Sequence, residues 1–159
     1  MTELSRIFLA GAVWFTGINA SLAQELNRSL QVVEQCIQKE DKLAVVYFYT
    51  EWCSVCHAMQ QRTLLNTQVQ VLLEDYFAFV AFDAESREPV EYSGRVFRYQ
   101  PSGPISGIHE LALELASVDG KINYPTITIF NSENEILFQQ NGFMGADALV
   151  AVLRQFVDN

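Results

Sequence analysis

Residues 43–57 read LAVVYFYTEWCSVCH, and their reading decides the fold. Leu43 to Tyr49 is an unbroken apolar run rich in β-branched and aromatic residues. That composition suits a strand buried on both faces of a sheet rather than one alternating between core and water. After three intervening residues Cys53-Ser54-Val55-Cys56 opens a segment of helical composition that extends to about Arg62. A CxxC pair supports three chemistries: dithiol–disulfide exchange, covalent haem attachment and zinc binding. The surrounding sequence has to choose among them.

Outward from this stretch, strands and helices alternate. On the N-terminal side Leu26, Leu30, Val33 and Ile37 share one helical face as far as Lys39. On the other side, a break near Asn66 precedes a short helix carrying Val69, Leu72 and Leu73. Phe77 to Phe82 is then a second strand. The stretch from about 84 to 107 is too long and too Gly/Pro-rich for a plain connection. Within it, Val90–Tyr92 and Arg95–Tyr99 flank Ser93-Gly94, a two-residue hairpin turn. Ile108, Leu111, Leu115 and Val118 mark a helix stopped at Asp119-Gly120. Thr126–Phe130 and Ile136–Gln140 follow as an antiparallel pair, and Leu149, Leu153 and Phe156 lie on a terminal helix. The expected class is α/β, a central mixed sheet with helices on both faces and an inserted hairpin.

The chain has 159 residues, half of them hydrophobic, which is one domain with a sizeable core. Ten basic against nineteen acidic residues give a net charge of −9, which argues against nucleic acid or an anionic membrane surface as the main partner. Ile7 to Ala23, about 17 residues, is an apolar run after Arg6 that ends in Ser21-Leu22-Ala23. Small residues at these positions match a secretory signal cut after Ala23, leaving a domain from Gln24 to Asn159. An uncleaved anchor is the competing reading, at the bottom of the spanning range and diluted by Thr16, Asn19 and Ser21. Export to the periplasm or beyond is the expectation. The three cysteines, Cys36, Cys53 and Cys56, are too few for a disulfide scaffold.

Glu51-Trp52-Cys53-x-x-Cys56 at a strand-to-helix junction, with Tyr124-Pro125-Thr126 farther on, resembles the thioredoxin superfamily. Gly142-Phe143-Met144 before the last helix resembles the C-terminal thioredoxin-like domain of DsbD-type thiol:disulfide interchange proteins. The likeness spans roughly Leu43 to Phe156. It implies a thioredoxin-like fold and thiol–disulfide exchange, with Cys53 and Cys56 as the catalytic, disulfide-forming pair. It also implies a cis peptide bond at Pro125 facing the cysteines, and a Tyr124 backbone available to an extended substrate. Trp52 then shapes partner docking. Glu51, close in sequence to the pair, is either a carboxylate that relays a proton or an exposed loop residue. Two departures stand out. The strand position where thioredoxins often bury an acid, six residues before the first cysteine, is Tyr47, and no helix-kinking proline lies between Cys56 and Asn66.

Cys53-x-x-Cys56-His57 is also the attachment motif of c-type haem, so a haem electron carrier is the alternative, with Met59 and Met144 as further axial candidates. A redox-inert thioredoxin-fold binding module is another. The long apolar strand and Pro125-Thr126 favour exchange, with no cofactor. His57 is expected in the first helical turn, bonded or facing water. Cys53, Cys56 and His57 supply too few ligands for zinc, so no metal is expected. His109 is expected at a helix edge near the surface, and Cys36 as a spectator thiol. Tyr92, Arg95, Phe97, Arg98 and Tyr99 either border the site or pack on themselves. The expected partners are extracytoplasmic proteins with disulfides and a membrane thiol electron donor, with the chain acting as a monomer and, as the CSVC sequence and DsbD-like tail suggest, as a reductant.

Overall fold

Strand β1, Leu43–Tyr49, lies inside a four-stranded sheet because the side chains on both sides of its pleat find apolar cover. The computed structural model describes residues 30–40 and 42–157. The segment read as an export signal, and Leu26, lie outside them. Helix α1 (Leu30–Glu40) precedes β1, and α2 (Ser54–Met59) follows it, running into a π-helical turn over Gln60–Leu64. Helix α3 (Thr67–Tyr76) leads to β2 (Phe77–Asp83). Two small hairpins come next: β3 (Val90–Tyr92) with β4 (Arg95–Phe97), and β5 (Tyr99–Pro101) with β6 (Gly107–His109). Helix α4 (Glu110–Leu115), the short pair β7 (Ser117–Val118) and β8 (Lys121–Ile122), β9 (Thr126–Phe130), β10 (Ile136–Asn141) and α5 (Ala146–Val157) complete the order.

The sheet runs β10-β9-β1-β2, with β2 parallel to β1 and the other neighbours antiparallel. It is the mixed sheet expected from the sequence. Alternate residues of β1 serve opposite layers, as the two-residue period of a strand demands. Ala44, Val46 and Phe48 pack with α1 and α4, whereas Val45 and Tyr47 pack with α2, α3 and α5. Both cysteines of the CxxC belong to the second layer. Register sets the two poles of the molecule. Tyr49 lies opposite Asp83 and Phe48 opposite Thr126, so the CxxC, the end of β2 and the start of β9 converge at one pole.

The break near Asn66 is a helix cap: its side-chain oxygen accepts the backbone N–H groups of Gln68 and Val69 at 2.9 and 3.4 Å. Before it, the π-helical turn redirects the chain without a proline, Leu65 N–H donating to the Gln60 carbonyl at 3.1 Å. The Ser93-Gly94 turn has positive φ at both positions, 51° and 72°, as a type I′ hairpin turn requires. Tyr92 and Phe97 are buried in the α1 layer, and the Tyr92 hydroxyl donates to Asn134 Oδ1 at 2.6 Å. Asn134 lies in the β9–β10 turn, at the pole away from the cysteines. Arg95 stacks over Phe97 at 4.6 Å and bonds Glu114 at 3.0 Å. This hairpin packs on itself and on the domain, and its tip does not border the site.

The third main helix is shorter than its apolar spacing predicts. Ile108 pairs with Gln100 in β6, and Val118 belongs to β7. The helix starts only at Glu110 because His109 caps it, Nδ1 accepting the Leu111 N–H at 3.2 Å. At the other end the Leu115 carbonyl accepts the Thr128 hydroxyl and the Gln139 amide. His109 is also 0% exposed, not at the surface as expected. Its Nε2–H donates to the Glu88 carbonyl at 3.1 Å and its ring meets Phe82 edge-on at 5.0 Å. Both ring nitrogens find backbone partners, which is what allows the burial.

Candidate active site

Cys53 is the N-cap of α2, in extended backbone conformation, with the Cys56 N–H donating to its Sγ at 3.1 Å. The cap follows from the strand: once β1 ends at Tyr49, the Cys53 N–H donates to the Thr50 carbonyl at 3.2 Å and the helix begins. The two sulfurs are bonded, with Cα atoms 5.2 Å apart. Cys53 keeps 6% exposure and Cys56 none. What accessibility the pair retains therefore belongs to Cys53. A sulfur at this cap faces unpaired backbone N–H groups and the positive end of the helix, both of which favour a thiolate.

Tyr47 stands behind the pair. Its hydroxyl donates to the Cys56 carbonyl at 2.9 Å, and the side chain is wholly buried. Burial first, and then the neighbouring Tyr49, push its hydroxyl well above the ordinary tyrosine range. The residue in the acid's strand position is thus a neutral hydrogen-bond donor that ties the helix to the sheet.

The Tyr124–Pro125 bond is cis and Pro125 is buried. Thr126, directly after it, pairs with Phe48, placing the bond at the pole from which the cysteines emerge. The Pro125 carbonyl accepts the Gly142 N–H at 2.7 Å. Gly142 has φ +86°, a conformation few other residues take without strain. That turn brings Phe143, which is exposed, to the same pole, and fixes Met144 beneath it by the Thr63 hydroxyl bond to the Met144 carbonyl at 2.6 Å. Met59 and Met144 are core residues in the layer that holds the cysteines.

Of the remaining expected residues, Trp52 is 69% exposed beside Cys53 and Glu51 is exposed next to it. His57, exposed in the first turns of α2, donates Nε2–H to the Glu51 carbonyl at 2.8 Å, so it braces the loop before the cysteines. Cys36 is a free thiol on α1, half-buried against the opposite layer. Sequence reasoning missed Asp83, and gave Phe143 no role beyond the resemblance of Gly142-Phe143-Met144. The signal for Phe143 was the preceding glycine, and for Asp83 the carboxylate closing an otherwise apolar strand. Asp83 is raised above the usual carboxylate range by burial, with Glu51 adding to it, although the Glu85 N–H donates to it at 3.0 Å. No group of three or more metal-ligating side chains occurs among the described residues.

A profile of the thioredoxin-like domain matches residues 30–157. The chain belongs to that family. Among solved structures, this thioredoxin-like domain is similar to a thioredoxin from Thermus thermophilus, at 20% identity and TM-score 0.57 over 83% of this chain and 88% of that one. It is similar to the oxidised DsbD C-terminal domain of Neisseria meningitidis, at 20% identity and TM-score 0.53 over 79% and 90%. It also resembles a disulphide isomerase from Xylella fastidiosa Temecula1, at 14% identity and TM-score 0.54 over 92% and 99%. These likenesses establish the fold. No curated protein sequence matches the chain.

Proposed function

We propose that this thioredoxin-like domain is an extracytoplasmic thiol–disulfide oxidoreductase that reduces disulfides in other proteins. The observation that carries the reading is a CxxC disulfide capping a helix, with only Cys53 open to a partner and a cis-proline turn beside it. The apolar run at Ile7–Ala23 supports an exported chain.

In the reduced chain Cys53 is the attacking thiolate and Cys56 the resolving thiol. Cys53 attacks one sulfur of a partner disulfide, the sulfur–sulfur bond of the partner breaks, and the other partner sulfur leaves as a thiolate that takes up a proton. Cys56, one turn inside the helix, gives up its proton and attacks Cys53 in the mixed disulfide. The second partner sulfur leaves and is protonated. The chain has then lost two electrons and holds the Cys53–Cys56 bond, and the partner has gained two as a dithiol. A dithiol donor at the membrane would restore the reduced chain. Trp52 and the Tyr124 backbone hold the partner segment, and Glu51 and His57 support the loop that presents Cys53.

The test is the equilibrium reduction potential of the full-length chain in graded thiol buffers, read by thiol trapping and mass. A value near thioredoxin's, about −270 mV, is expected. A value near that of strong oxidants, about −120 mV, reverses the direction of flow. Cys53→Ser abolishes exchange with protein disulfides; an effect on the partner that survives without that thiol would instead make the domain a binding module whose cysteines are spectators.

A further inference from the structure

The helix that carries the cysteines and the turn that carries Phe143 are far apart in the chain, and a side-chain bond joins them. Thr63, in the π-helical turn after α2, donates its hydroxyl to the Met144 carbonyl at 2.6 Å, across 81 residues of sequence. The same turn is fastened to the cis-proline from its other end, where the Gly142 N–H donates to the Pro125 carbonyl at 2.7 Å. Phe143 lies between these two fastenings. It is 44% exposed, whereas Met144 beside it is 4% exposed and packs in the layer of the cysteines. Thr63 is a polar residue in an apolar place. Cys56, Met59 and Thr63 follow at helical spacing on the inward face, and each is 0% exposed. A threonine hydroxyl within a helix commonly bonds a carbonyl one turn back in its own helix. Here it leaves the helix instead, and a hydroxyl buried this deeply is costly unless it is bonded.

We infer that Thr63 is a positioning residue that fixes the Gly142–Met144 turn against the CxxC helix, so that Phe143 is held as a contact for the polypeptide flanking a partner disulfide. The inference rests on the exchange reading above and adds what makes the site prefer protein disulfides to small ones. Without the hydroxyl the Met144 carbonyl loses its donor, and the turn gains by shifting towards water. Gly142 stays tied to Pro125, so the movement falls on Phe143 and Met144. A displacement of about 1 Å is enough to spoil the alignment of a bound segment. A small disulfide has no flanking segment to reach Phe143, and its reaction depends on Cys53 alone.

The reduced full-length chain tests this with two oxidants, insulin as the protein disulfide and oxidised glutathione as the small one. The readout is the ratio of their rate constants, with the dependence on insulin concentration measured as well. In Thr63→Val the ratio of insulin to glutathione is expected to fall about tenfold, through weaker binding of insulin rather than a slower step once it is bound. Thr63→Ser keeps the hydroxyl and should restore the ratio. Phe143→Ala should lower the ratio as Thr63→Val does, and the two substitutions together should cost little more than either alone, because both act through one side chain. An unchanged ratio in Thr63→Val, or losses that simply add in the double variant, overturns the inference and leaves exchange standing. Rates that fall together with both oxidants do the same, since Thr63 would then act on the cysteines. If Thr63→Val does not fold, Phe143→Ala decides alone, and a ratio it leaves intact overturns the inference. Failure of the unmodified chain to reduce insulin overturns both readings.

Discussion

The two faces of strand β1 hold their layers together by different means. Odd-numbered Val45 and Tyr47 look onto α2, α3 and α5, where the cysteines, Met59 and Met144 are packed and where three helices supply continuous cover. Even-numbered Ala44, Val46 and Phe48 look onto α1, the inserted hairpins and the short α4, where cover is assembled from small pieces. The first face carries chemistry on a helix terminus. The second must close a core with fragments that cannot stand alone, so more of its order depends on single side chains and polar clasps such as His109. Stability and redox behaviour should therefore separate by face, and substitutions at neighbouring residues of one strand can show it.

The largest effect is expected at Phe48. It is 0% exposed and meets Phe82 edge-on at 5.9 Å. Phe48→Ala removes most of a ring from a closely packed layer and should cost about 3–5 kcal/mol in urea unfolding. Because the ring lies on the face away from the cysteines, the Cys53–Cys56 potential of the folded variant should stay where it is. A displaced potential would show that the two layers are coupled through the strand.

An intermediate effect is expected at His109. Burial holds its imidazole below the ordinary histidine range, against the Glu88 carbonyl and Glu110, which act the other way. The neutral ring is the form that fits, since Nδ1 accepts from Leu111 and Nε2–H donates to Glu88. A proton binds the unfolded chain more readily, so the stability from the neutral ring is complete above about pH 6.5 and declines as pH falls below it. Asp83, raised in the folded state, works in the opposite sense at lower pH: its protonation favours the folded chain as pH falls. His109→Asn keeps a capping oxygen and removes the titration. It should cost about 1–2 kcal/mol at pH 7 and flatten the stability profile between pH 7 and 5. A profile as steep as before would mean that another group carries the pH dependence.

The same contrast between faces governs how much the sequence discloses. Apolar runs at Leu43–Tyr49 and Phe77–Phe82, each closed by polar residues, could be little other than strands. The helix face at Leu149, Leu153 and Phe156 was equally plain. The CxxC was visible because two cysteines at that spacing, after a strand, have few other uses. Around Ile108–Val118 periodicity misled. The spacing fits a helix, but Ile108 was claimed by strand pairing and the cap by an imidazole whose burial depends on a carbonyl 21 residues earlier. The cis geometry at Pro125 came only from family likeness, since composition does not distinguish it from an ordinary proline at a strand start. The position of Asp83 beside Tyr49 depends on the parallel register of β1 and β2, and nothing local announces it.

Tyr47 offers the smallest and most discriminating test, because it lies next to Phe48 in sequence and on the other face. Tyr47→Phe keeps the ring and its stacking on Tyr49 at 6.0 Å, and loses only the hydroxyl bond to the Cys56 carbonyl. That carbonyl still accepts the Gln60 N–H, so it is not left bare. The expected cost is about 0.5–1.5 kcal/mol in the oxidised chain. Reduction frees the two sulfurs and lets the first turn of α2 relax, so the hydroxyl bond should stabilise the disulfide form more than the dithiol form. Its loss then makes the potential less negative by up to about 30 mV, the equivalent of 1.4 kcal/mol for a two-electron couple. Unfolding of the oxidised and reduced chains closes the thermodynamic cycle, since the difference between their losses must equal the shift in potential. Equal losses with no shift would make Tyr47 a brace indifferent to redox state. A shift to more negative potential would mean that the bond favours the dithiol, as a hydroxyl stabilising the reduced site would.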